Sequence, residues 1–314
     1  MKSAVLFPPL MTLKSGNFLD LYQAFPEVRE KFKESSAILG YDLAERFFSE
    51  DVAVINQGDI ARPSIVTIST ALHDMLKETF GSPAYYVGPS LGQMTAIHCS
   101  GALSFEDTIH MVKGMCDLEE KDERNKGYGV FFFYNIDCSI MEKNMQIVRE
   151  SGGYAEPCMY ACSNQMIVNG DFDSLDKLAE MAMSQGGLGV TIPFGPPGHC
   201  SLLTDVQSKF AEQFMPTINP LRPDPPLISN VDGSAIVDGD GVSDEIIGQY
   251  VVTVQWYEVL KSLKSKGVEK LFVLGPGQFI SKSLQFTDIP FEVETLVTME
   301  EIREKFPHYV KEQV

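Results

Sequence analysis

Apolar positions along the chain change period several times, and the changes outline its elements. Ser3–Phe7 is a continuous apolar run closed by two prolines and reads as a short buried strand. Phe18–Leu39 carries a helical pattern interrupted near Pro26, and Tyr41–Phe48 is a further apolar-periodic segment. Pro63–Phe80 places Ile65, Ile68, Leu72, Met75 and Leu76 at helical spacing. Tyr85–Val87 reads as a strand, and helical character resumes over Leu91–Ser100 and Phe105–Glu120. Strands and helices that alternate in this way predict a mostly parallel α/β sheet.

Near Gly127 the texture changes. Val130–Tyr134, Tyr154–Tyr160, Gln165–Val168 and Gly189–Phe194 read as strands, with helices over Ser139–Ser151 and Asp173–Gln185. That order, β-α-β-β-α-β, is the ferredoxin-like pattern. The expected fold is therefore α/β. A large α/β-hydrolase-like subdomain (1–126 and 196–314) carries a mostly parallel sheet, and a ferredoxin-like subdomain (127–195) is inserted into it. Beyond the insert, Leu202–Phe214, Asp244–Val252 and Trp256–Lys266 read as helices, Leu227–Val231 and Leu271–Leu274 as strands, and Met299–Val314 as a terminal helix.

Composition narrows the function. Across 314 residues, 44% are apolar and 22% charged, the balance of a soluble globular protein. The net charge of −18 argues against a nucleic-acid or anionic-membrane partner, since both need local positive potential. Lys261, Lys264, Lys266 and Lys270 form the densest basic cluster; it reads as a solvated helix face or as a landing site for an acidic protein. Six cysteines without metal-ligand spacing point to reduced thiols and a cytoplasmic location, with no metal site expected. The prolines at 8 and 9 cut the N-terminal apolar run, so it is not read as a signal peptide. No apolar stretch approaches the ~18 residues of a membrane span.

The sharpest chemical signal is Gly88-Pro89-Ser90-Leu91-Gly92, set between a predicted strand and a predicted helix. This is the context of a nucleophile elbow, where glycines let the chain turn and the serine hydroxyl stands at a helix N-terminus. The Leu91 amide can then face a developing oxyanion. The bland alternative is an ordinary serine in a tight turn. A nucleophilic serine needs a base. His73, His98 and His110 lie on predicted helices and His308 in the tail. His199 follows a strand end and the turn Phe194-Gly195-Pro196-Pro197-Gly198, where α/β proteins place active sites; a structural histidine is the alternative.

In their order along the chain, these motifs resemble the malonyl-CoA:acyl-carrier-protein transacylase family, including the free-standing, trans-acting acyltransferases of polyketide synthases. Phe7-Pro8 matches the start of FPGQGSQ, Tyr41-Asp42-Leu43 matches YDL, and Gly88–Gly92 matches GHSLG. Lys113-Gly114 aligns with an RG pair, and Gly198-His199-Cys200 with SHC. Asn230-Val231-Asp232 matches NVD, Val254-Gln255-Trp256 matches VQW, and Leu274–Gly277 matches VGPG. The resemblance implies Ser90 as acyl acceptor, His199 as general base, and a Gln255 main-chain carbonyl that orients the imidazole. It implies an oxyanion hole from the Leu10 and Leu91 amides. It places Pro89, Lys113, Asp117 and Gly198 around the acyl group.

The implied substrate is a phosphopantetheine thioester, on coenzyme A or on a carrier protein, with an acyl carrier protein as partner and no bound cofactor. The departures are as informative. FPGQGSQ has become Phe7-Pro8-Pro9-Leu10-Met11-Thr12-Leu13, and the carboxylate-binding arginine is replaced by Lys113, which cannot form the same planar fork. Asp117, four residues on, could pair with Lys113. Gly198 leaves room beside the histidine. The expected activity is therefore acyl transfer with specificity other than plain malonyl. The alternatives are an editing hydrolase that releases the acyl group to water and an inactive carrier-binding protein.

Overall fold

The computed structural model describes residues 1–122, 126–193 and 196–305. The expectations for Phe194 and Gly195, for residues 306–314 of the tail and for His308 lie outside the described residues. Among the described residues, ten strands form two sheets: β1 (Lys2–Leu6), β2 (Tyr85–Val87), β3 (Tyr128–Tyr134), β4 (Ala155–Cys162), β5 (Gln165–Asp171), β6 (Leu188–Thr191), β7 (Leu227–Ile228), β8 (Ala235–Ile236), β9 (Val268–Leu274) and β10 (Glu292–Leu296). The larger sheet runs β10-β9-β1-β2-β7-β8, parallel except for the β7–β8 pair.

β1 is central, and its side chains alternate between two cores, as a period of two requires. Val5 and the following Phe7 enter one core with the helices Pro26–Leu39, Gly58–Phe80 and Phe105–Glu120. Ala4 and Leu6 enter the other with Trp256, Val259, Leu260 and Leu263 of the helix Trp256–Ser265. Cover on both faces explains why β1 reads as one apolar run rather than as an alternation.

The smaller sheet has the order β4-β5-β3-β6 and is antiparallel throughout. The helices Cys138–Glu150 and Phe172–Ser184 cover one face, where Phe131, Phe133, Met141, Met145, Leu175 and Leu178 form its core. β4 is stitched to the rest of the molecule: Val254 N donates to Cys158 O (3.0 Å) and Tyr160 N donates to Val254 O (2.9 Å).

Three differences from the periodicity matter for the site. The helix expected from Pro63 starts at Gly58, so Pro63 lies inside it. A proline cannot donate to the carbonyl four residues back; here that carbonyl, on Asp59, accepts from Tyr41 Oη at 2.7 Å. The helix expected over Asp244–Val252 runs Gly239–Gly248, because Asp238 caps it by accepting from Gly241 N (2.8 Å). It stops early and leaves Gln249–Val252 in a turn. β10 was unforeseen. Its glutamates at 292 and 294 hide a parallel edge strand, and both pair with Lys270 (3.0 and 2.9 Å). Lys270 is thus occupied, as is Lys261 on Glu258 (2.8 Å) and Lys264 on Pro290 O (2.6 Å), which thins the expected basic cluster. No helix among the described residues is long and apolar enough to cross a membrane.

Candidate active site

Strand β2 ends at Val87 and, after three intervening residues, the helix Leu91–Cys99 begins. Ser90 turns the corner with φ 54° and ψ −119°, in the region of positive φ that few residues other than glycine adopt. Such strain persists only where its surroundings hold it. Gly88 and Gly92 pack directly on the end of β1: a Cβ at Gly92 would lie 2.3 Å from Phe7 O, and one at Gly88 2.6 Å from the same oxygen. The two glycines of the motif are therefore demanded by close backbone approach.

Beneath the elbow lies a buried polar network. Gly88 N donates to Gln93 Oε1 (3.1 Å), and Gln93 Nε2 donates to Ile228 O (2.8 Å) and Glu245 Oε1 (3.0 Å). Glu245 also accepts from Ser229 Oγ (2.6 Å) and Asn230 N (2.7 Å), while Asn230 Nδ2 donates to Gly88 O (2.8 Å). Burial pushes the Glu245 carboxyl up, against these donors, which favour its charged form.

His199 also holds a positive φ, 55°. Its loop is pinned from both sides. Asn169 Nδ2 donates to Gly198 O (2.8 Å), Gly198 N donates to Asn169 Oδ1 (3.2 Å), and Cys200 N donates to Tyr250 O (3.1 Å). This places His199 Nε2 2.8 Å from Ser90 Oγ. Burial lowers the imidazole pKa to about 4, partly opposed by the Gln249 backbone, so the ring is neutral at neutral pH. A neutral ring with its proton on Nδ1 can take the serine proton at Nε2. Of the other described histidines, His73 meets Tyr86 Oη (2.8 Å) and His98 meets Leu103 O (3.1 Å).

The expected role of Gln255 needs correction. The backbone beside the imidazole is that of Gln249, at the end of the helix Gly239–Gly248, and Nδ1 makes no hydrogen bond of normal geometry. Gln255 is directed elsewhere. The clamp of Val254 onto β4 turns it so that Gln255 N donates to Asn230 O (2.7 Å) and its side chain donates to Thr253 O (3.3 Å). Gln255 therefore supports Asn230, which in turn holds the elbow at Gly88.

Ser90 and His199 open into a cavity of about 470 Å³ that Leu10, Leu91 and Gly198 also line. Among the described residues, the Leu10 and Leu91 amides donate to no protein carbonyl, as an oxyanion site requires. Three expected residues do not line it. Pro89 is buried under the elbow, where its carbonyl accepts from Gly92 N (3.1 Å). Lys113 and Asp117 pair with each other one stripe away, because the cavity face of Phe105–Glu120 is Val112, Met115, Cys116, Glu119 and Glu120. Spacing of three, one, three and one residues selects that single face of the helix.

Instead of Lys113, the charge in the cavity comes from Arg62, whose Nη2 donates to Glu119 Oε2 at 2.5 Å. Burial disfavours the Arg62 charge, but Glu119 more than offsets it and holds the guanidinium above its usual range. No group of three or more His, Cys, Asp or Glu among the described residues could hold a metal, and all six cysteines are unpaired.

A serine at positive φ thus lies within hydrogen-bond reach of a histidine, at the end of a parallel sheet covered on both faces in an α/β fold. No protein-family model matches it. It is 26% identical over 281 residues to the malonyl CoA-acyl carrier protein transacylase of Escherichia coli (strain K12), covering 88% of this chain and 90% of the relative. It is 23% identical over 306 residues to that of Staphylococcus aureus (strain MRSA252), covering 96% and 97%. Among solved structures, FabD from Acinetobacter baumannii superposes with a TM-score of 0.88 at 23% identity, covering 98% of each chain. A malonyl-transacylase solved in complex with its type II polyketide synthase acyl-carrier protein gives 0.89 at 22% identity, covering 96% of this chain and 98% of that one. The structures show the shared fold. The sequence similarity to malonyl CoA-acyl carrier protein transacylases runs through the ordered motifs and over nearly the whole chain.

Proposed function

We propose that the protein is an acyltransferase. It moves an acyl group from a coenzyme A or carrier-protein thioester, through an ester on Ser90, to the phosphopantetheine thiol of an acyl carrier protein. The observation that carries this reading is the 2.8 Å contact between Ser90 Oγ and His199 Nε2 in the lining of the cavity. Relatives named for transfer between malonyl CoA and acyl carrier protein support the substrate classes.

In the first half-reaction His199 Nε2 takes the Ser90 proton as Oγ attacks the thioester carbonyl. The negative charge forms on the former carbonyl oxygen, where the Leu10 and Leu91 amides can donate to it. Collapse breaks the carbon–sulfur bond, and the departing sulfur takes the proton back from His199. In the second half the carrier thiol gives its proton to His199, its sulfur attacks the ester, and Ser90 leaves with that proton. The chain divides near 126 and 196, and the small unit's outgoing loop delivers His199 to the serine.

The acyl group in this reading is not plain malonyl. Lys113 stands outside the cavity, and the cation inside it, Arg62, already has a counter-ion. The test is intact mass after incubation with a panel of acyl thioesters, using Ser90→Ala as control. An adduct on the unaltered protein and none on Ser90→Ala is the expected result. An equal adduct on Ser90→Ala would sink the nucleophile assignment, and fastest loading from malonyl-CoA would sink the specificity.

A further inference from the structure

The acyl-Ser90 reading leaves the inner part of the cavity unexplained. Arg62 and Glu119 meet there, with side chains only 15% and 13% exposed. Among the described residues, Glu119 is the hydrogen-bond partner of Arg62. Beside the pair, the hydroxyl of Tyr250 is buried without a partner, on a residue only 4% exposed that also lines the cavity. Gln249 Nε2 is buried and unpartnered as well, and its residue lines the same space. Met94, Val112 and Met115 make the neighbouring wall apolar.

A buried hydroxyl without a partner carries a penalty in the empty protein that a suitable ligand removes. Tyr250 Oη can both donate and accept, and a carboxylate with one oxygen on Arg62 keeps acceptor capacity. A free carboxylate on the acyl group would have to displace Glu119 from Arg62 or lie against it, leaving a buried charge unpaired in either case. A purely aliphatic acyl group would leave the Tyr250 hydroxyl unsatisfied. A group with an amine or hydroxyl hydrogen can donate to Glu119 and also engage Tyr250.

Resting on the acyl-enzyme reading above, we infer that Arg62, Glu119 and Tyr250 form the acyl-recognition site, selecting acyl groups that carry a hydrogen-bond donor and no free carboxylate. Arg62 holds the Glu119 carboxylate charged and in place. Glu119 is the acceptor, and Tyr250 reads the same polar group from the side.

The experiment compares initial rates of Ser90 acylation, by intact mass, from malonyl-CoA, butyryl-CoA, 3-hydroxybutyryl-CoA and β-alanyl-CoA. The unaltered protein should load the hydroxyl or the amine substrate at least roughly tenfold faster than the other two, the factor that about one good hydrogen bond supplies. The two donor-bearing arms show which donor is preferred. Glu119→Gln frees Arg62 and should move the malonyl to donor-bearing ratio toward malonyl by at least roughly tenfold. Tyr250→Phe should cut the advantage of the donor-bearing group over butyryl. If Glu119→Gln does not fold, Arg62→Gln/Glu119→Gln leaves no unpaired charge and should erase the discrimination between donor-bearing and butyryl groups. Fastest loading from malonyl-CoA, or ratios unchanged in the variants, would overturn the inference while acyl-Ser90 stands. No adduct from any of the four would overturn both readings.

Discussion

Gly92→Ala tests the elbow through a displacement that the structure sets. The added Cβ would lie 2.3 Å from Phe7 O and 2.9 Å from both Phe7 C and Pro8 O. An ordinary carbon–oxygen contact is about 3.3 Å or more, so the helix Leu91–Cys99 and the end of β1 must separate by roughly 1 Å. Both sides of that gap carry chemistry: the helix begins beside Ser90, and the chain beyond β1 leads to the Leu10 amide. Overpacking of this kind costs about 1–3 kcal/mol, within the ~5–15 kcal/mol that holds a folded protein together, so the variant should fold. A misplacement of about 1 Å can cost ~10²-fold in rate. The assay is the initial rate of acyl-Ser90 formation by quenched intact mass, alongside a thermal melt. Gly198→Ala is the comparator, since its Cβ meets nothing within 4 Å and should affect only the size of acyl group accepted. A Gly92→Ala rate within about threefold of the unaltered protein would refute the close-approach reasoning.

His199→Ala should slow acylation by about 10⁴-fold or more, as loss of a single triad member does in serine enzymes; an unchanged rate would return His199 to a packing role. The acylation rate should stay level as pH falls from neutral and drop only near pH 4, because the base works neutral and burial holds its pKa at about 4; a midpoint near the ordinary histidine value of 6.5 would contradict the burial. Glu245→Ala strands three donors, Gln93 Nε2, Ser229 Oγ and Asn230 N. At about 1–3 kcal/mol for each buried unsatisfied group, it should lose roughly 3–9 kcal/mol in denaturant titration, and a loss below about 1 kcal/mol would show that the network carries no weight.

What could be read in the sequence was local. The elbow is declared by two glycines flanking a serine between a strand and a helix, and His199 by its place after a strand and a proline turn. Most strands of the two sheets follow from runs whose period the chain displays directly, but β8 and β10 do not. What escaped depends on distant partners or on helix phase. Gln249 was missed because the helix before it ends one turn earlier than its apolar pattern suggests, and a main-chain group leaves no mark in side-chain identity. Lys113 stands in a two-residue match, whereas the phase of its helix decides which residues face the cavity. Arg62 and Glu119 are 57 residues apart and carry no shared motif. Arg62 was further obscured by Pro63, which looks like a helix start but is tolerated inside one because the Tyr41 hydroxyl takes its place as donor.

The most direct measurement loads Ser90 with an acyl group, removes free thioester, and follows the adduct with and without a holo acyl carrier protein. Transfer predicts that the ester persists alone and that the same acyl mass moves to the carrier's phosphopantetheine thiol on mixing, with Ser90→Ala giving neither step. Loss of the ester to water at one rate, whether or not the carrier is present, would contradict transfer and make the protein a hydrolase.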